Sequence, residues 1–368
     1  MNRNIGQTIV ICTSLIIGMG LLSLYSATYQ NSRVSDRVFY DQMLGAGVGL
    51  FVMLLLGRVD HRKFYDAAYV LYGISVIFLI LVIFAGRHAL GAQRWFEIAG
   101  ISFQPSELMK LTLILALSRY FTDHKASLSF RSSATPQLVL ESFIIPLMLT
   151  MFPALLIFKQ PDLGTAILVF GIFYIMIFVS GLNYKALGGF TFLCLAALPF
   201  AWHILKPYQR DRLLVFMNPN IDPLGAGYTI IQSKIAIGSG QLFGKGWLSG
   251  TQNQLNFLPE RHTDFIFSVV GEEWGLVGTL FVLSCYFVVI SCGLKIAEQV
   301  KDDFAHLMTM GIVGILSLQV VINIGMVMGL FPVVGITLPL VSYGRTSFFV
   351  FIIMLGFLFN LSSKRSAF

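Results

Sequence analysis

Ten long apolar runs constrain the fold of this 368-residue chain more than any other feature. A helix of about 20 apolar residues crosses the hydrocarbon core of a bilayer, and within lipid it satisfies its own backbone hydrogen bonds. The runs therefore predict an all-α, polytopic membrane protein with about ten transmembrane helices. They lie at approximately 8–27, 41–57, 67–86, 106–121, 139–158, 162–181, 185–205, 265–293, 305–330 and 346–361.

Composition and organisation agree with that fold. Of the residues, 56% are hydrophobic and only 12% are charged, whereas about 25% are charged in soluble domains. No linker, low-complexity segment or short repeat divides the chain. We therefore expect one integral membrane domain over residues 1–368.

The longest polar stretch, residues 206–264, interrupts the apolar pattern between the seventh and eighth runs. It holds several Lys, Arg and Asp residues and ends with Asp264 at the start of the eighth run. Charged side chains are costly where they face lipid, so the stretch must lie in water at one face of the membrane. It predicts a large loop that ends with an acid at the rim of the bilayer.

The distribution of Lys and Arg favours a cytoplasmic N-terminus. In that orientation the inner segments carry twice as many of these residues as the short outer segments. The polar stretch brings the two sides level, but long loops count less in this rule. We expect both termini on the cytoplasmic side and the 206–264 loop outside. The outer cations then indicate either an anionic ligand or contacts with lipid headgroups.

Charge and cysteine usage exclude several other classes. The net charge of +7 reflects Lys and Arg in the loops, and no nucleic-acid-binding motif is present. The four cysteines lie inside apolar runs without the spacing of metal ligands. We expect no nucleic-acid partner, no disulfide and no cysteine-bound metal.

The sequence of residues 103–110 places two ionisable residues at the start of the fourth run. Pro105 suits the first turn of a helix, and the helix dipole favours Glu107 there. Helix capping explains Glu107 but not Lys110. Residues three apart share a helix face, so we expect the two to pair in the membrane, where ionisable groups usually mark a pathway or a site.

Asp162 and Arg94 also lie at predicted outer ends of apolar runs. Asp162 follows Pro161 at the start of the sixth run, where it either caps the helix or joins a cluster of acids with Glu107 and Asp264. Arg94 precedes Trp95 in the loop after the third run, where it binds either a phosphate or a lipid headgroup.

Asp264 is the strongest candidate for chemistry, although a carboxylate at this position could also cap the helix. A desolvated acid has a raised pKa and can accept a proton near neutral pH. His262 is the rival base. Farther along the eighth run, Glu272 and Glu273 are adjacent acids, and we expect at least one of them to be paired across helices.

Four glycines at 238, 240, 244 and 246 superficially suggest a phosphate loop. Their spacing matches neither the dinucleotide nor the P-loop pattern, so we reject a nucleotide site. They predict a tight extracellular turn, with Lys245 near the lipid surface as a further candidate ligand for substrate.

Residues 331–347 contain two prolines and two glycines in an apolar background. This composition predicts an irregular segment that re-enters the membrane or follows its surface. Irregular backbone at that depth must be buried in protein or line a water-filled cavity.

Together these features resemble the SEDS family of bacterial cell-wall synthases, over nearly the whole chain. The most specific parts are Gly-Lys-Gly-Trp-Leu-Ser-Gly-Thr-Gln at 244–252 and Phe-Leu-Pro-Glu-Arg-His-Thr-Asp-Phe-Ile-Phe at 257–267. Residues 160–165, 103–107 and 323–327 support the resemblance. The 244–252 run is more similar to the elongation branch of the family than to its division branch.

The resemblance implies a peptidoglycan glycosyltransferase of the bacterial cytoplasmic membrane that works in cell elongation. Its donor would be a glycan on undecaprenyl pyrophosphate, its acceptor lipid II, and its partner a class B penicillin-binding protein of the elongation machinery. The essential aspartate of the family corresponds to Asp264. Motif correspondence also suggests binding roles for Arg94, Glu107, Lys110 and Asp162.

Two positions depart from the family pattern. A second glycine usually follows Val-Ser-Tyr-Gly, where this chain has Arg345. The arginine is expected to affect the geometry of the loop and adds a cation to the outer cavity. Trp274 replaces a usual leucine and is a milder change.

The implied mechanism is a single inverting displacement in which Asp264 deprotonates the 4-hydroxyl of the acceptor sugar. Cations such as Arg94, Lys110 and Arg210 would stabilise the departing diphosphate. A divalent cation, Mg²⁺ or Mn²⁺, could help to hold it, with Asp264 as a candidate ligand, because Mg²⁺ often uses one or two carboxylates with phosphate oxygens. We expect no organic cofactor.

Two other functions fit the same pattern. A lipid II flippase or transporter suits ten spans and buried charges equally well, but predicts symmetric halves and alternating access. A membrane scaffold for a penicillin-binding protein would need no chemistry, and scaffolding could coexist with catalysis. The large one-sided loop with an acid at its rim fits surface chemistry better than transport.

Overall fold

The computed structural model describes residues 3–29, 32–89, 92–98, 101–124, 143–181, 184–205, 207–222 and 225–363. These residues form thirteen α-helices and three short strands. In chain order the helices are α1 (Arg3–Thr28), α2 (Ser32–Leu56), α3 (Arg62–Ala85), α4 (Pro105–Asp123), α5 (Ile145–Lys159), α6 (Leu163–Val179), α7 (Tyr184–Ile204), α8 (Pro207–Met217), α9 (Ala226–Ser239), α10 (Thr251–Gln254), α11 (Ile266–Gln299), α12 (Asp303–Val327) and α13 (Arg345–Ser363).

Each of the ten predicted spans coincides with one of these helices, which confirms the all-α, polytopic fold. The first residues of the fifth predicted span, 139–142, lie outside the described part of the chain. Within that part, α1, α2, α3, α11, α12 and α13 are long and apolar enough to cross a membrane. Helices α5, α6 and the central part of α7 are apolar but shorter.

The predicted large loop is itself folded. Helices α8, α9 and α10 lie within residues 206–264, and a short 3₁₀ turn, Pro219–Ile221, separates α8 from α9. Helix α9 packs along α11, while α10 contacts α1 and α9. The loop is therefore fixed against the helices of the membrane domain.

A small antiparallel sheet connects α3 to α4, and the sequence analysis did not predict it. Its strands are β1 (Arg87–Ala89), β2 (Ala92–Ile98) and β3 (Ile101–Phe103), in the order β1-β2-β3. Strand β2 contacts α3 and α4, and β3 contacts α13. The sheet therefore places Arg94 beside the start of α4.

Helices α4, α11, α12 and α13 form the centre of the domain. Helix α12 packs against α4, α6 and α11, while α13 packs against α1 and α2. Because lipid tails are as apolar as leucine, such packing depends on van der Waals contact between the helices. Fully buried residues of α4 and α12 include Leu113, Ile114, Leu117, Ile312 and Ile315.

Helix α11 is broken at Gly275, whose φ of 63° and ψ of −155° are not helical. The N–H of Leu276 donates to the Gln241 carbonyl at 2.9 Å, and that of Val277 to the Leu242 carbonyl at 3.1 Å. The loop after α9 thus satisfies backbone groups that the break releases. In this way the loop is held by main-chain bonds to a membrane helix.

Glycines make that close approach possible. A Cβ atom at Gly240 would overlap the carbonyl oxygen of Gly271, and one at Gly244 would overlap the backbone of Glu273. Gly244 and Gly246 also have positive φ values of 79° and 99°, which glycine adopts without strain. The predicted tight turn is confirmed, while its extracellular side stays a prediction. Gly240 and Gly244 allow the contact between two backbones.

Residues 328–344, between α12 and α13, have no regular secondary structure. Gln319 Nε2 donates to the Thr337 carbonyl at 2.9 Å, and Asn323 Nδ2 donates to the Ile336 carbonyl at 2.6 Å. The predicted irregular segment is confirmed up to residue 344, while Arg345–Ser347 form the first turn of α13. Two amides of α12 therefore fix the path of this segment.

Candidate active site

A cavity of about 720 Å³ lies where the starts of α4, α6 and α13 meet the polar loop. Small-molecule sites commonly occupy about 300–1,000 Å³, so this space can hold a sugar diphosphate headgroup. Both charge signs line it. The charged residues of the wall are Arg94, Glu107, Asp162, Arg212, Glu260, Asp264 and Arg345.

The cavity gathers most of the predicted site residues but not all of them. Arg94, Glu107, Asp162 and Asp264 line it together, so the three acids form the cluster that the sequence analysis left open beside helix capping. The other predicted ligands, Lys110, Arg210 and Lys245, are not part of its lining.

Asp264 lies just before α11 and is fixed through its backbone. Asn323 Nδ2 donates to the Asp264 carbonyl at 2.9 Å and, with its other contact, holds the carbonyl of Ile336. Gly335 has a φ of 71°, and a Cβ there would lie 3.4 Å from Asp264 Oδ2. The side-chain amide of Asn323 therefore holds Asp264 next to the irregular segment of residues 328–344.

The environment of Asp264 raises its pKa to about 6, mainly because burial disfavours the charged form. The charges of Glu260 and Asp162 also raise the pKa, whereas Arg212 and a hydrogen bond with Thr263 lower it. The residue as a whole is only half-buried, since part of it faces the cavity. A carboxyl group with this pKa can accept a proton near neutral pH.

His262 is less suited to act as the base. Burial lowers the pKa of its imidazole, and Arg261 lowers it further against the opposing effect of Glu260. Its backbone carbonyl accepts a hydrogen bond from the Tyr343 N–H at 2.9 Å. His262 does not line the cavity, so its contacts favour a role in joining the Asp264 loop to the irregular segment.

Glu107 and Lys110 form the predicted pair, with Lys110 Nζ 2.8 Å from Glu107 Oε2. Lys110 Nζ also donates to Gln319 Oε1 at 2.8 Å and lies 5.2 Å from the ring centre of Phe351. The side chain of Lys110 is fully buried, and only Glu107 reaches the cavity. This placement favours a positioning role for Lys110 over the predicted contact with substrate.

Asp162 caps α6, which was one of its two predicted roles. Its carboxylate accepts from the Thr165 N–H at 3.2 Å and the Thr165 hydroxyl at 2.9 Å. Gln104 Nε2 donates to it at 3.1 Å. Asp162 therefore connects the start of α6 to the start of α4 and shapes the cavity wall.

Arg94 is anchored to the turn before α6. Its Nε donates to the Gln160 carbonyl at 2.9 Å, and its Nη2 donates to the Pro161 carbonyl. Its Nη1 lies 3.9 Å from Asp162 Oδ1. The guanidinium is thus held in place on the cavity wall.

Arg212, rather than Arg210, is the arginine of α8 that lines the cavity. Arg210 Nη2 donates to the His203 carbonyl at 2.9 Å, which directs it toward the end of α7. Arg212 Nη1 donates to the Val333 carbonyl at 3.1 Å, on the irregular segment. Arg212 therefore occupies the position on the cavity wall that was predicted for Arg210.

Lys245 is paired inside the protein instead of facing lipid or substrate. Its Nζ lies 2.8 Å from Oε1 of Glu272. The hydroxyl of Ser26 donates to Glu273 Oε1, and Asn253 Nδ2 lies 3.4 Å from the same oxygen. The expectation that one of the adjacent acids is paired is confirmed, while Lys245 has a structural position.

The described residues contain no group of three or more His, Cys, Asp or Glu side chains that could hold a metal ion. One or two carboxylates on the cavity wall would bind Mg²⁺ only together with phosphate oxygens of a ligand.

Comparison with known proteins shows to which family this chain belongs. The model for the FtsW, RodA and SpoVE family, described as a cell cycle protein, matches residues 6–367. This chain belongs to that family. It is the SEDS family that the motifs resemble.

Relatives of this SEDS chain align over nearly its full length. "Peptidoglycan glycosyltransferase MrdB" of Escherichia coli K12 is 41% identical over 355 residues, covering 96% of this chain and 93% of that protein. A solved chain from a study of polymerisation and crosslinking by a peptidoglycan synthase complex is 33% identical, with a TM-score of 0.79 and 95% of both chains covered. The crystal structure of Thermus thermophilus RodA is 31% identical, with a TM-score of 0.70, and covers 97% of this chain and 96% of that one.

Several site residues of this SEDS chain were missed by the sequence analysis. Gln319 and Asn323 lie one turn apart in the apolar C-terminal part of α12, and both are fully buried. Amides with that spacing in a predicted span are a usable signal, because they need partners inside the protein. Arg212 and Glu260 carry no comparable signal, since neither the helix face nor the loop path was known.

Proposed function

We propose that this chain is a peptidoglycan glycosyltransferase that polymerises lipid II into glycan strands during cell elongation. The single observation that carries the proposal is Asp264, a carboxylate with a pKa of about 6 on the wall of a headgroup-sized cavity. The relative named MrdB, at 41% identity over nearly the whole chain, supports the same reaction.

In the proposed reaction, the acceptor's 4-hydroxyl attacks the anomeric carbon of the lipid-linked donor. The hydroxyl proton passes to Asp264, and the bond from the anomeric carbon to the diphosphate oxygen breaks. Undecaprenyl pyrophosphate leaves with both electrons of that bond. Attack from the opposite side inverts the anomeric configuration, and base assistance contributes about 10²–10⁴-fold in rate.

The cavity wall supplies charge for the departing diphosphate. Arg94 and Arg212 are anchored by backbone carbonyls, which keeps their guanidinium groups in place before substrate arrives. Preorganised cations stabilise charge that develops in a transition state. Glu107, Lys110 and Asp162 then act mainly by holding the walls together, and a Mg²⁺ or Mn²⁺ ion would bind through the substrate's phosphates.

We also propose the cellular setting. The chain would lie in the bacterial cytoplasmic membrane with both termini inside, so that the cavity opens outward where lipid II is presented. A class B penicillin-binding protein of the elongation machinery would be its partner, and the similarity to a chain from work on a peptidoglycan synthase complex supports this. Reporter fusions at both termini test the orientation, and co-purification tests the partner.

The decisive experiment supplies lipid II to the purified full-length protein with its partner and detects glycan polymer. Asp264→Asn keeps the size of the side chain and should reduce polymer formation by about 10²-fold or more. At pH 7.5, above the pKa of Asp264, Glu260→Gln removes another acid of the same cavity and serves as the matched control. Equal polymer yield from wild type and Asp264→Asn would remove Asp264 from the mechanism.

The same preparation tests the flippase alternative. Movement of lipid II across a vesicle bilayer without polymer would favour transport. Polymer that depends on the partner but not on Asp264 would favour a scaffold.

A further inference from the structure

Arg345, the first residue of α13, places a cation on the wall of the cavity. Its Nη2 donates to Oδ2 of Asp41 on α2. Its side chain is only 16% exposed. The neighbours Thr346 and Ser347 add hydroxyl groups to the same wall.

Asp41 lies between two arginines, which share its carboxylate. Arg37 Nε is 4.0 Å from the same Oδ2 that Arg345 contacts. The side chain of Arg37 is 73% exposed, so water and salt screen its charge. Arg345 is shielded from solvent and should make the larger contribution to the potential inside the cavity.

The chain around Arg345 is directly connected to the base candidate. Two residues earlier, the Tyr343 N–H bonds to the His262 carbonyl, and the Ser342 hydroxyl donates to the Thr263 carbonyl at 2.5 Å. Asp264 and Arg345 are thus held on one cavity by the same irregular segment. A cation in the first turn of a helix opposes the helix dipole, so Arg345 should lower the stability of α13. A function in the cavity would explain why an arginine occupies this position.

We propose that Arg345 binds a diphosphate of the lipid-linked substrate, with Asp41 orienting its guanidinium. The inference rests on the proposed function, which brings diphosphate esters to this cavity. Arginine suits diphosphate binding because its planar guanidinium can donate two parallel hydrogen bonds to phosphate oxygens. In the alternative interpretation, the Arg345–Asp41 pair only stabilises the packing of α2 against α13.

The test measures binding of undecaprenyl pyrophosphate to the purified full-length protein, with inorganic diphosphate in a parallel arm. Arg345→Ala should weaken binding by about 10–100-fold, the range for a charged hydrogen bond. Arg345→Lys keeps the charge but removes the guanidinium that donates two parallel hydrogen bonds, so it should give an intermediate affinity. Loss in both arms locates the contact at the diphosphate, while loss for the lipid compound alone would overturn that assignment.

Two variants distinguish substrate binding from a purely structural role of the ion pair between α2 and α13. Arg37→Ala removes one charge from the same carboxylate outside the cavity and should change affinity less than about twofold, as for a screened surface pair. Asp41→Asn still accepts the hydrogen bond but removes the opposing charge, so binding should stay equal or tighten. If Asp41→Asn and Arg345→Ala instead lower the affinity for diphosphate and the melting temperature equally, the pair only stabilises the packing of α2 against α13 and the inference is wrong.

Polymer formation distinguishes failure of this inference from failure of the proposed function. Wild-type polymer with unchanged diphosphate binding in Arg345→Ala would overturn only the inference. Diphosphate binding that depends on Arg345, in a protein that forms no polymer, would leave the inference standing and overturn the glycosyltransferase proposal.

Discussion

Lys245, in the loop after α9, and Glu272, three residues before the break in α11, form an ion pair with 2.8 Å between Nζ and Oε1. The same carboxylate accepts from the N–H groups of Gln252 at 2.9 Å and Asn253 at 3.3 Å. These N–H groups belong to the first turn of α10, where a negative charge is favoured. One buried acid therefore joins a membrane helix, the glycine turn and α10.

Removal of Lys245 should lower stability more than it affects substrate binding. Lys245→Met leaves Glu272 buried without its cation, and loss of one partner from a buried pair costs about 3–5 kcal/mol, reduced here because the lysine is partly exposed. We expect a clear fall in melting temperature with an almost unchanged KM for lipid II. The mutant Lys245→Met/Glu272→Gln should recover part of the loss, whereas a raised KM at unchanged melting temperature would support contact with substrate.

Activity should rise with pH through the pKa of Asp264. The carboxylate is the reactive form, so kcat/KM should have a midpoint near pH 6. Glu260→Gln removes a charge that raises this pKa and should shift the midpoint downward, while Arg212→Gln should shift it upward. Initial rates of polymer formation at lipid II concentrations well below KM, measured across pH, check this, and shifts in the same direction for both variants would contradict it.

Asp264 should also make stability depend on pH. Its pKa rises from 3.8 to about 6 on folding, so the folded state binds more protons between those values. Stability therefore falls as pH rises through that window. Asp264→Asn should melt at a higher temperature than wild type at pH 7.5 and at the same temperature near pH 3.5, as followed by intrinsic fluorescence.

The bridging amide of Asn323 should be needed for the position of Asp264. Asn323→Leu leaves the carbonyls of Asp264 and Ile336 without their donor, at a cost of about 1–3 kcal/mol for each unsatisfied group. We expect kcat to fall by tenfold or more, with a smaller change in KM, since the base shifts and the cavity persists. Gln7→Ala, an exposed amide on α1, is the control, and unchanged kcat in Asn323→Leu would contradict the bridging role.

Two neighbouring glycines offer a matched test of backbone docking. Gly240 has an ordinary φ of −76°, so Gly240→Ala strains no torsion and only introduces overlap with the Gly271 carbonyl. It should lower the melting temperature substantially. Gly238→Ala has no atom within 4 Å of the new Cβ and should be neutral or stabilise α9 by up to about 1 kcal/mol. Equal melting temperatures for the two variants would argue against close docking.

The helices were predictable because hydrophobic length is a local property. The acids at helix starts were predictable for a related reason, since Pro105 with Glu107 and Pro161 with Asp162 form local signatures of helix initiation. Pairing of Glu107 with Lys110 followed from helix periodicity alone. These features depend on residues within one turn of each other.

Long-range backbone contact was not predictable. The glycines at 240 and 244 were attributed to a turn, but their main partners are Gly271 and Glu273 on another helix. Arg210 was preferred to Arg212 because the sequence does not show which face of α8 meets the cavity. The small sheet escaped prediction because its strands are short and packed against helices.

The break at Gly275 divides α11 into a short arm before it and a long arm after it. The short arm, which follows Asp264, is bonded to the glycine turn and to α10, while the long arm continues through the membrane. The start of the long arm is bonded to the same loop, through the N–H groups of Leu276 and Val277. The direction in which α11 leaves Asp264 is therefore set by the folded loop and not by a continuous helix through the membrane.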